Sequence, residues 1–303
     1  MNKKLTKTTF DKIENCLHLT NGETELVITT EFGPRILCYR TNGSKNVFKI
    51  FPEQITHIEK DVWKSYGGHR LWHAPEVYPR TYYPDNEKIE WEWNDEVLIL
   101  KSPDEKGNNI GKEIKITLAE QGSQVTLEHT LTNTGVWPVK VSAWCLSVMA
   151  AGGSVIVPQE NYKPHPDCLV PARPLVLWHF TKMNDHRFLW DEKFIQLKED
   201  SNDKTKQKFG VCNTKGWAAY LLDNTVFMKK IPFYPQAQYT DMGCNQEFYT
   251  EAGFLEIETL SPYTELAPGE SLTHTEKWLL VENKVTQDKI DIDALEELAK
   301  TIQ

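Results

Sequence analysis

Apolar and polar positions alternate with a period of two in many short segments of this chain. In the clearest segment, KIEWEWN, the side chains of Ile89, Trp91 and Trp93 alternate with those of Glu90 and Glu92. About fifteen such segments are rich in β-branched and aromatic residues, and turn sequences such as TNGSKN, DEKGNN and APGES separate them. With almost no helix between the strands, the pattern predicts an all-β fold of antiparallel sheets.

One helix is predicted, at the C-terminal end, over about residues 286–303. Apolar side chains recur at three- and four-residue spacing from Ile292 to Ile302, and Thr286 or Asp291 could cap the helix. The polar stretch from Lys198 to Lys208 predicts a mobile loop, because it has little apolar area to offset its ordering entropy. Strand patterns continue on both sides of it, so we expect residues 1–303 to form a single domain.

Composition and charge exclude several classes of partner. The chain of 303 residues has 34 Lys and Arg against 43 Asp and Glu, a net charge of −9, which argues against a nucleic-acid surface. No apolar run approaches the ~20 residues of a membrane span, and the start lacks the apolar core of a secretory signal. We therefore predict a cytoplasmic protein without a membrane partner. Six scattered cysteines without a C-x-x-C pair indicate reduced thiols.

The stretch SYGGHRLWHAPE, Ser65 to Glu76, combines histidines, an arginine and a glutamate next to a Gly-Gly pair. One interpretation is a pocket wall on which His69, Arg70 and His73 face the hydroxyl groups of a ligand. A second is a polar turn over the core, in which Arg70 pairs with Glu76. A third is a metal site of His69, His73 and Glu76, as in a cupin-like enzyme, although Pro75 disfavours the helix that would best present them.

Two carboxylates recur on one side of a late strand. From Phe254 to Leu260, Glu256 and Glu258 share one face and Ile257 lies on the other. Two carboxylates on one face would not point into an apolar core, so that face is either solvated or lines a polar cleft. In a cleft, a carboxylate of raised pKa could act as a general base. Upstream, Lys229 and Asp241 are candidate ligand contacts because the strand of Glu258 follows them.

The order of these motifs resembles that of a known superfamily. An early GGH turn, the middle strand LEHTLTNTGVWPVKVSAWCLSVM and the late LEIETLSPYTELAPGES are similar to those of the aldose 1-epimerase, or galactose mutarotase-like, superfamily. The resemblance extends from about Glu25 to Val281. It implies a galactose mutarotase-like antiparallel β-supersandwich, here with a short C-terminal helix, that binds a small carbohydrate and requires no metal or cofactor.

The resemblance also implies roles for individual residues. Glu258 matches the glutamate base that removes the proton of the anomeric hydroxyl, with Glu256 as the alternative. His69 matches an early histidine that contacts the sugar. Where the family has a second histidine, which protonates the ring oxygen, this chain has Trp144. Tryptophan can stack on a pyranose ring but cannot serve as the acid, so that role would fall to His69 or His73.

Three functional hypotheses follow. The leading one is an aldose or sugar-derivative 1-epimerase with Glu258 and His69 as catalytic residues. Its substrate contacts would be Arg70, His73, Trp144, Lys229, Asp241 and Glu256. Arg70 and Lys229 could also meet an anionic substituent such as a phosphate. The second is a carbohydrate-binding protein of the same fold without catalysis. The third is the cupin-like metal enzyme.

Overall fold

A computed structural model describes residues 3–55, 58–282, 285–287 and 289–302. Its helices are α1 (Pro52–Ile55) and α2 (Ile292–Thr301). Its strands, in chain order, are β1 (Lys4–Phe10), β2 (Ile13–Thr20), β3 (Thr24–Thr29), β4 (Arg35–Thr41), β5 (His69–Ala74), β6 (Glu90–Trp93), β7 (Val97–Lys101), β8 (Ile110–Leu118), β9 (Val125–Asn133), β10 (Val139–Ala150), β11 (Ser154–Pro158), β12 (Leu175–Leu177), β13 (Phe188–Trp190), β14 (Phe194–Lys198), β15 (Gln207–Val211), β16 (Trp217–Leu222), β17 (Thr225–Lys230), β18 (Gln246–Glu251), β19 (Phe254–Leu260), β20 (Thr264–Leu266) and β21 (Ser271–Glu282).

The strands form two large antiparallel sheets. The first sheet has the order β1-β2-β3-β4-β5-β10-β19-β18-β15-β12, and β20 also pairs with β10. The second sheet has the order β13-β14-β11-β16-β17-β21-β9-β8-β7-β6. This architecture confirms the predicted all-β fold with little helix. Among the strands that the sequence pattern missed are β1, β2 and β15, and Phe48 and Ile50, between β4 and β5, form isolated bridges.

The two sheets share one apolar core. Leu71 of β5 and Ile257 of β19 pack in the same buried cluster as Leu127 of β9 and Trp278 of β21. Because side chains alternate along a strand, the neighbours of Leu71 and Ile257 lie on the opposite face of the first sheet. That face, turned away from the second sheet, carries the candidate site.

A Gly-Gly pair allows the chain to enter β5. Gly67 and Gly68 have φ angles of 79° and 71°, in the region that favours glycine. A Cβ atom would lie 2.2 Å from the carbonyl oxygen of Lys49 at Gly67 and 2.3 Å from that of Ile36 at Gly68. The pair therefore permits a close backbone approach just before β5, and the residues that follow form a buried strand.

Helix α2 is shorter than predicted. It begins at Ile292, after Asp291, whose side chain accepts a hydrogen bond from the backbone N–H of Ala294 at 3.0 Å. Asp291 is thus the N-cap, one of the two predicted candidates. The apolar side of the helix, including Leu295, packs against a cluster that contains Trp217 and Met228 of the second sheet. No helix within the described ranges is long and apolar enough to cross a membrane.

Candidate functional site

A cleft of about 430 Å³ lies on the outer face of the first sheet, over β5, β10, β19, β18 and β15. Its volume is in the range of about 300–1,000 Å³ that small-molecule sites occupy. Charged and aromatic side chains line it: Trp63, Ser65, Arg70, Trp72, Glu76, Tyr82, Trp144, Leu146, Trp178, Phe180, Lys206, Lys208, Tyr249, Glu251, Phe254, Glu256 and Glu258. No histidine occurs among these described lining residues.

Lys208 joins two carboxylates at the floor of the cleft. Its Nζ lies 2.9 Å from Oε2 of Glu258 and 2.7 Å from Oε2 of Glu247, and all three side chains are buried. Although burial opposes the charge, the two carboxylates hold the pKa of Lys208 above its ordinary value. Burial raises the pKa of Glu247 to about 8; Lys208 opposes this rise and the charge of Glu258 adds to it. The indole N–H of Trp144 donates to Oε2 of Glu258 at 2.8 Å.

Glu256 lies beside this group on the same face of β19. Its Oε1 is 3.5 Å from an amino nitrogen of Arg70, which is only 3% exposed and has a buried Nε without a hydrogen-bond partner. Burial raises the pKa of Glu256 to about 7; Arg70 opposes the shift and the charge of Glu258 adds to it. The pKa of Glu256 is therefore near neutrality. The neighbouring carboxylate of Glu258 already accepts hydrogen bonds from Lys208 and Trp144.

Aromatic rings surround the charged floor. Trp72 lies between Trp63 and Trp144, with ring centroids 5.4 and 5.3 Å away, and Tyr82 lies 5.3 Å from it. The Arg70 guanidinium lies 4.3 Å above the Trp72 ring. On the other side, Lys208 Nζ is 4.6 Å from the ring centroid of Trp178. The cleft thus combines flat apolar surfaces with fixed polar groups, a combination suited to a ring that carries hydroxyl groups.

His69 lies on the other side of β5, inside the core between the sheets. Its Nδ1 is 2.9 Å from Oγ of Ser147, and its Nε2 is 2.7 Å from Nε2 of His129. Both ring nitrogens of His69 are therefore hydrogen-bonded, and burial holds its pKa well below the ordinary value. The parity of the strand explains the position, because His69 shares the face of Leu71. The structure does not bring this predicted acid to the cleft.

Lys229 also lies in the core, next to the buried Glu276. Its Nζ is 3.0 Å from Oε1 of Glu276, and it donates to the carbonyl oxygen of Ile257 at 3.1 Å. Glu276, His69 and His129 offer ligand atoms within 4.8 Å of one another, a cluster that could surround a metal ion. Lys229 already neutralises Glu276, so a divalent ion would leave uncompensated positive charge in the core, which is costly. We describe the cluster as a hydrogen-bonded core network.

The remaining predicted residues are dispersed. His73 is buried, with Nε2 3.0 Å from Oε2 of Glu105, and Asp241 lies in a turn with a φ angle of 51°. Neither lines the cleft. Glu76 does line it and accepts a hydrogen bond from the hydroxyl of Tyr82. The proposed cupin-like set of His69, His73 and Glu76 is thus separated, whereas Arg70, Trp144, Glu256 and Glu258 are brought together.

Sequence reasoning missed the ion pair beside Glu258, Lys208 and Glu247. Lys208 belongs to the polar stretch predicted as a mobile loop, but β15 begins at Gln207 and Lys208 is only 5% exposed. The signal was the alternation that follows: Phe209 faces the core, so Lys208 must face the opposite side. The same reasoning places Glu247 opposite the buried Phe248.

Solved structures with this architecture include two whose names describe them as galactose mutarotase-like. Slr1438 of Synechocystis sp. PCC 6803 is 11% identical, with a TM-score of 0.58, and the match covers 94% of this chain and 98% of that one. A galactose mutarotase-like protein of Lactobacillus casei ATCC 334 is 9% identical, with a TM-score of 0.57, and the match covers 88% and 100%. A galactose mutarotase-like protein of Clostridium acetobutylicum is 10% identical, with a TM-score of 0.55, and the match covers 93% and 99%.

These similarities confirm the predicted galactose mutarotase-like fold. No curated protein sequence matches the chain significantly. A protein-family model described as a domain of unknown function matches residues 77–281, which is more than half of the chain. The match includes β6 to β19 and with them Trp144, Lys208, Glu247, Glu256 and Glu258. The chain therefore belongs to this family, DUF4380.

Proposed function

We propose that the protein binds a reducing sugar in the cleft and exchanges its anomers, as a 1-epimerase. The observation that carries this proposal is the carboxylate of Glu258 at the cleft floor, held by Lys208 and Trp144 between aromatic walls. A base fixed in position beside a stacked ring is what removal of an anomeric proton requires. The fold shared with the galactose mutarotase-like proteins supports the choice of reaction.

Glu258 is the proposed base. It would take the proton of the anomeric hydroxyl while the bond between C1 and the ring oxygen breaks and the ring oxygen receives a proton. The resulting open-chain aldehyde rotates about its C1–C2 bond and closes again on the opposite face. Hydrogen bonds from Lys208 and Trp144 fix the orientation of the Glu258 carboxylate throughout this cycle.

Charge in the cleft favours an uncharged sugar. Arg70 faces Glu256, and Lys208 is bound between Glu247 and Glu258. Both cations of the floor therefore already face a carboxyl group, with which an added phosphate or carboxylate would have to compete. This arrangement argues against the anionic substituent considered from the sequence, for which Lys229 is also out of reach.

The alternative is a carbohydrate-binding protein without catalysis. Trp144 favours it, because its indole donates to Glu258 at the strand position where the resemblance implies a histidine acid. Such a protein would bind a sugar through the same aromatic rings, Trp72 and Trp144, and leave its anomers unchanged. Both functions would use the same cleft, and only the epimerase would convert one anomer of the sugar into the other.

NMR of freshly dissolved α-glucose and α-galactose distinguishes the two functions. The proposal predicts that catalytic amounts of the protein accelerate exchange to the β-anomer for at least one of these sugars. A binding protein would broaden the signals of the sugar and leave the spontaneous rate unchanged. If neither acceleration nor broadening occurs for a panel of neutral aldoses, the cleft is not a sugar site and the proposal fails.

A further inference from the structure

We propose that Glu256 is the acid that protonates the ring oxygen, so that a single strand, β19, supplies both the acid and the base of the reaction. This assignment rests on the proposed function and goes beyond it, since it names the group that replaces the missing histidine. It follows from what the described cleft residues can donate and from their arrangement on the first sheet.

The described donors in the cleft leave few candidates for the acid. The hydroxyl of Tyr82 donates to Glu76, and the ammonium of Lys208 is bound by two carboxylates. Burial holds the pKa of Tyr249 above its ordinary value, which makes it a weak acid. Tryptophan cannot donate its proton at neutral pH. Of the other carboxyl groups that line the cleft, Glu76 accepts the hydrogen bond of Tyr82 and Glu251 lies 3.9 Å from Lys206. Glu256, which faces Arg70 at 3.5 Å, is the one that shares a face of β19 with Glu258.

The spacing of Glu256 and Glu258 on β19 allows one of them to act as the acid and the other as the base. Glu256 and Glu258 are two residues apart on one face of β19, so their side chains leave the sheet in the same direction. The anomeric hydroxyl and the ring oxygen are both bonded to C1, and two neighbouring carboxyl groups can reach both. Lys208 and Trp144 both donate to Glu258, which fixes the orientation of that carboxylate as the base.

The charges around Glu256 come from each neighbouring element. Arg70 on β5 and Lys208 on β15 favour its ionised form, whereas Glu258 on β19 and Glu251 on β18 oppose ionisation. Tyr249 on β18 is its cross-strand neighbour. Burial is the largest influence and raises the pKa of Glu256 to about 7. A substantial fraction of the protein therefore carries the proton on Glu256 at neutral pH, as a general acid requires.

The proton transfers balance over one cycle. Glu258 takes the proton of the anomeric hydroxyl, the C1–ring oxygen bond breaks, and Glu256 gives its proton to the ring oxygen. After rotation of the aldehyde, Glu256 takes the hydroxyl proton back, the C1–oxygen bond forms again, and Glu258 returns its proton to the former carbonyl oxygen. Each carboxyl group ends in its starting state, and no further reactant is consumed.

The test compares Glu256→Gln with the wild type and with Glu128→Gln, which makes the same change at an exposed position of β9. Anomer exchange of α-glucose and α-galactose is followed by NMR between pH 5 and pH 9. We expect Glu256→Gln to lower the catalysed rate at pH 6 by at least about 100-fold, within the usual contribution of a general acid, while signal broadening by the sugar persists. The Glu256→Asp variant should retain part of the rate.

The pH profile gives a second readout. The wild-type rate should fall as the pH rises above about 7, because Glu256 loses its proton, and the residual rate of Glu256→Gln should lack this fall. If Glu256→Gln keeps a rate within threefold of Glu128→Gln, Glu256 is not the acid, although the protein is still an epimerase. If the wild type accelerates no sugar, the proposed function itself fails and this assignment fails with it.

Discussion

The ammonium of Lys208 lies 2.9 Å from the carboxylate of Glu258, and both side chains are buried at the floor of the cleft. Glu247 lies 2.7 Å from the same ammonium, so one buried cation contacts two carboxyl groups. Removing charged side chains from water is costly, and buried ionisable groups with shifted pKa values are found most often at functional sites. The stability and the pH response of the protein should both depend on this group.

Replacement of Lys208 by methionine should destabilise the protein. The change leaves the buried carboxylates of Glu247 and Glu258 without their cation, and breaking a buried ion pair costs about 3–5 kcal/mol. Urea unfolding at pH 7 measures the effect. Lys206→Met is the matched control, because Lys206 is exposed and its Nζ lies 3.9 Å from Glu251, so its effect should stay within about 0.5 kcal/mol. Equal effects of the two substitutions would contradict the account.

The contribution of Glu247 to the free energy of unfolding should fall as the pH rises from about 4.5 to about 8. In this window folded Glu247, whose pKa is raised to about 8, holds a proton that the unfolded chain has already released. One such proton changes the stability by about 1.4 kcal/mol per pH unit. Buried histidines with lowered pKa values add the same opposite pH dependence to both proteins, so the test is the difference between them. In urea titrations across the window, stability should rise more, or fall less, with pH in Glu247→Gln than in the wild type, and equal slopes would show that Glu247 does not titrate there.

Replacement of Trp144 by phenylalanine should remove one donor from Glu258 and keep a stacking ring. A lost hydrogen bond to a charged group costs about 1.5–3 kcal/mol, so thermal or urea unfolding should detect it. Trp137→Phe is the control, because Trp137 is 80% exposed. A sugar that binds the cleft should still quench tryptophan fluorescence in Trp144→Phe. An unfolding free energy equal to that of the control would argue against the contact with Glu258.

Neutral sugars should bind better than phosphorylated ones. Because the cations on the cleft floor already face carboxyl groups, with which a phosphate would have to compete, the affinity for a hexose 6-phosphate should be at least about tenfold weaker than for the parent hexose. Calorimetric titrations of glucose and glucose 6-phosphate at two salt concentrations provide the comparison, since added salt should reduce the difference. Preferential binding of the phosphorylated sugar would contradict this reading of the charges.

The sequence predicts which side chains of β19 point toward the core, but the pattern of β5 does not allow the same prediction. On β19, Ile257 faces the core and Glu258 the opposite side, as the alternation predicted, and the structure places a cleft on that side. On β5, polar residues occupy both faces, so the pattern of HRLWHA has no single polar side. The one guide is Leu71, which marks the core face and places His69 with it.

Lys208 illustrates what a composition-based prediction overlooks. Its neighbours in the sequence are polar, and a polar stretch normally favours a solvated loop. The cation is buried only because β15 pairs with β18, which brings Glu247 from a distant part of the chain. Pairing between distant strands leaves no local signature in the sequence. The contact between Lys208 and Glu247 could therefore be recognised only from the structure.

The most direct test of the central claim is anomer exchange by wild type and Glu258→Gln, measured by NMR on freshly dissolved α-galactose and α-glucose at pH 7. Glu128→Gln, the same change at an exposed position of β9, is the control for general effects of the substitution. The account predicts accelerated exchange by the wild type and by Glu128→Gln, and a loss of at least about 100-fold in Glu258→Gln. Equal acceleration by all three proteins would contradict the role of Glu258, and exchange at the spontaneous rate with the wild type would contradict the epimerase.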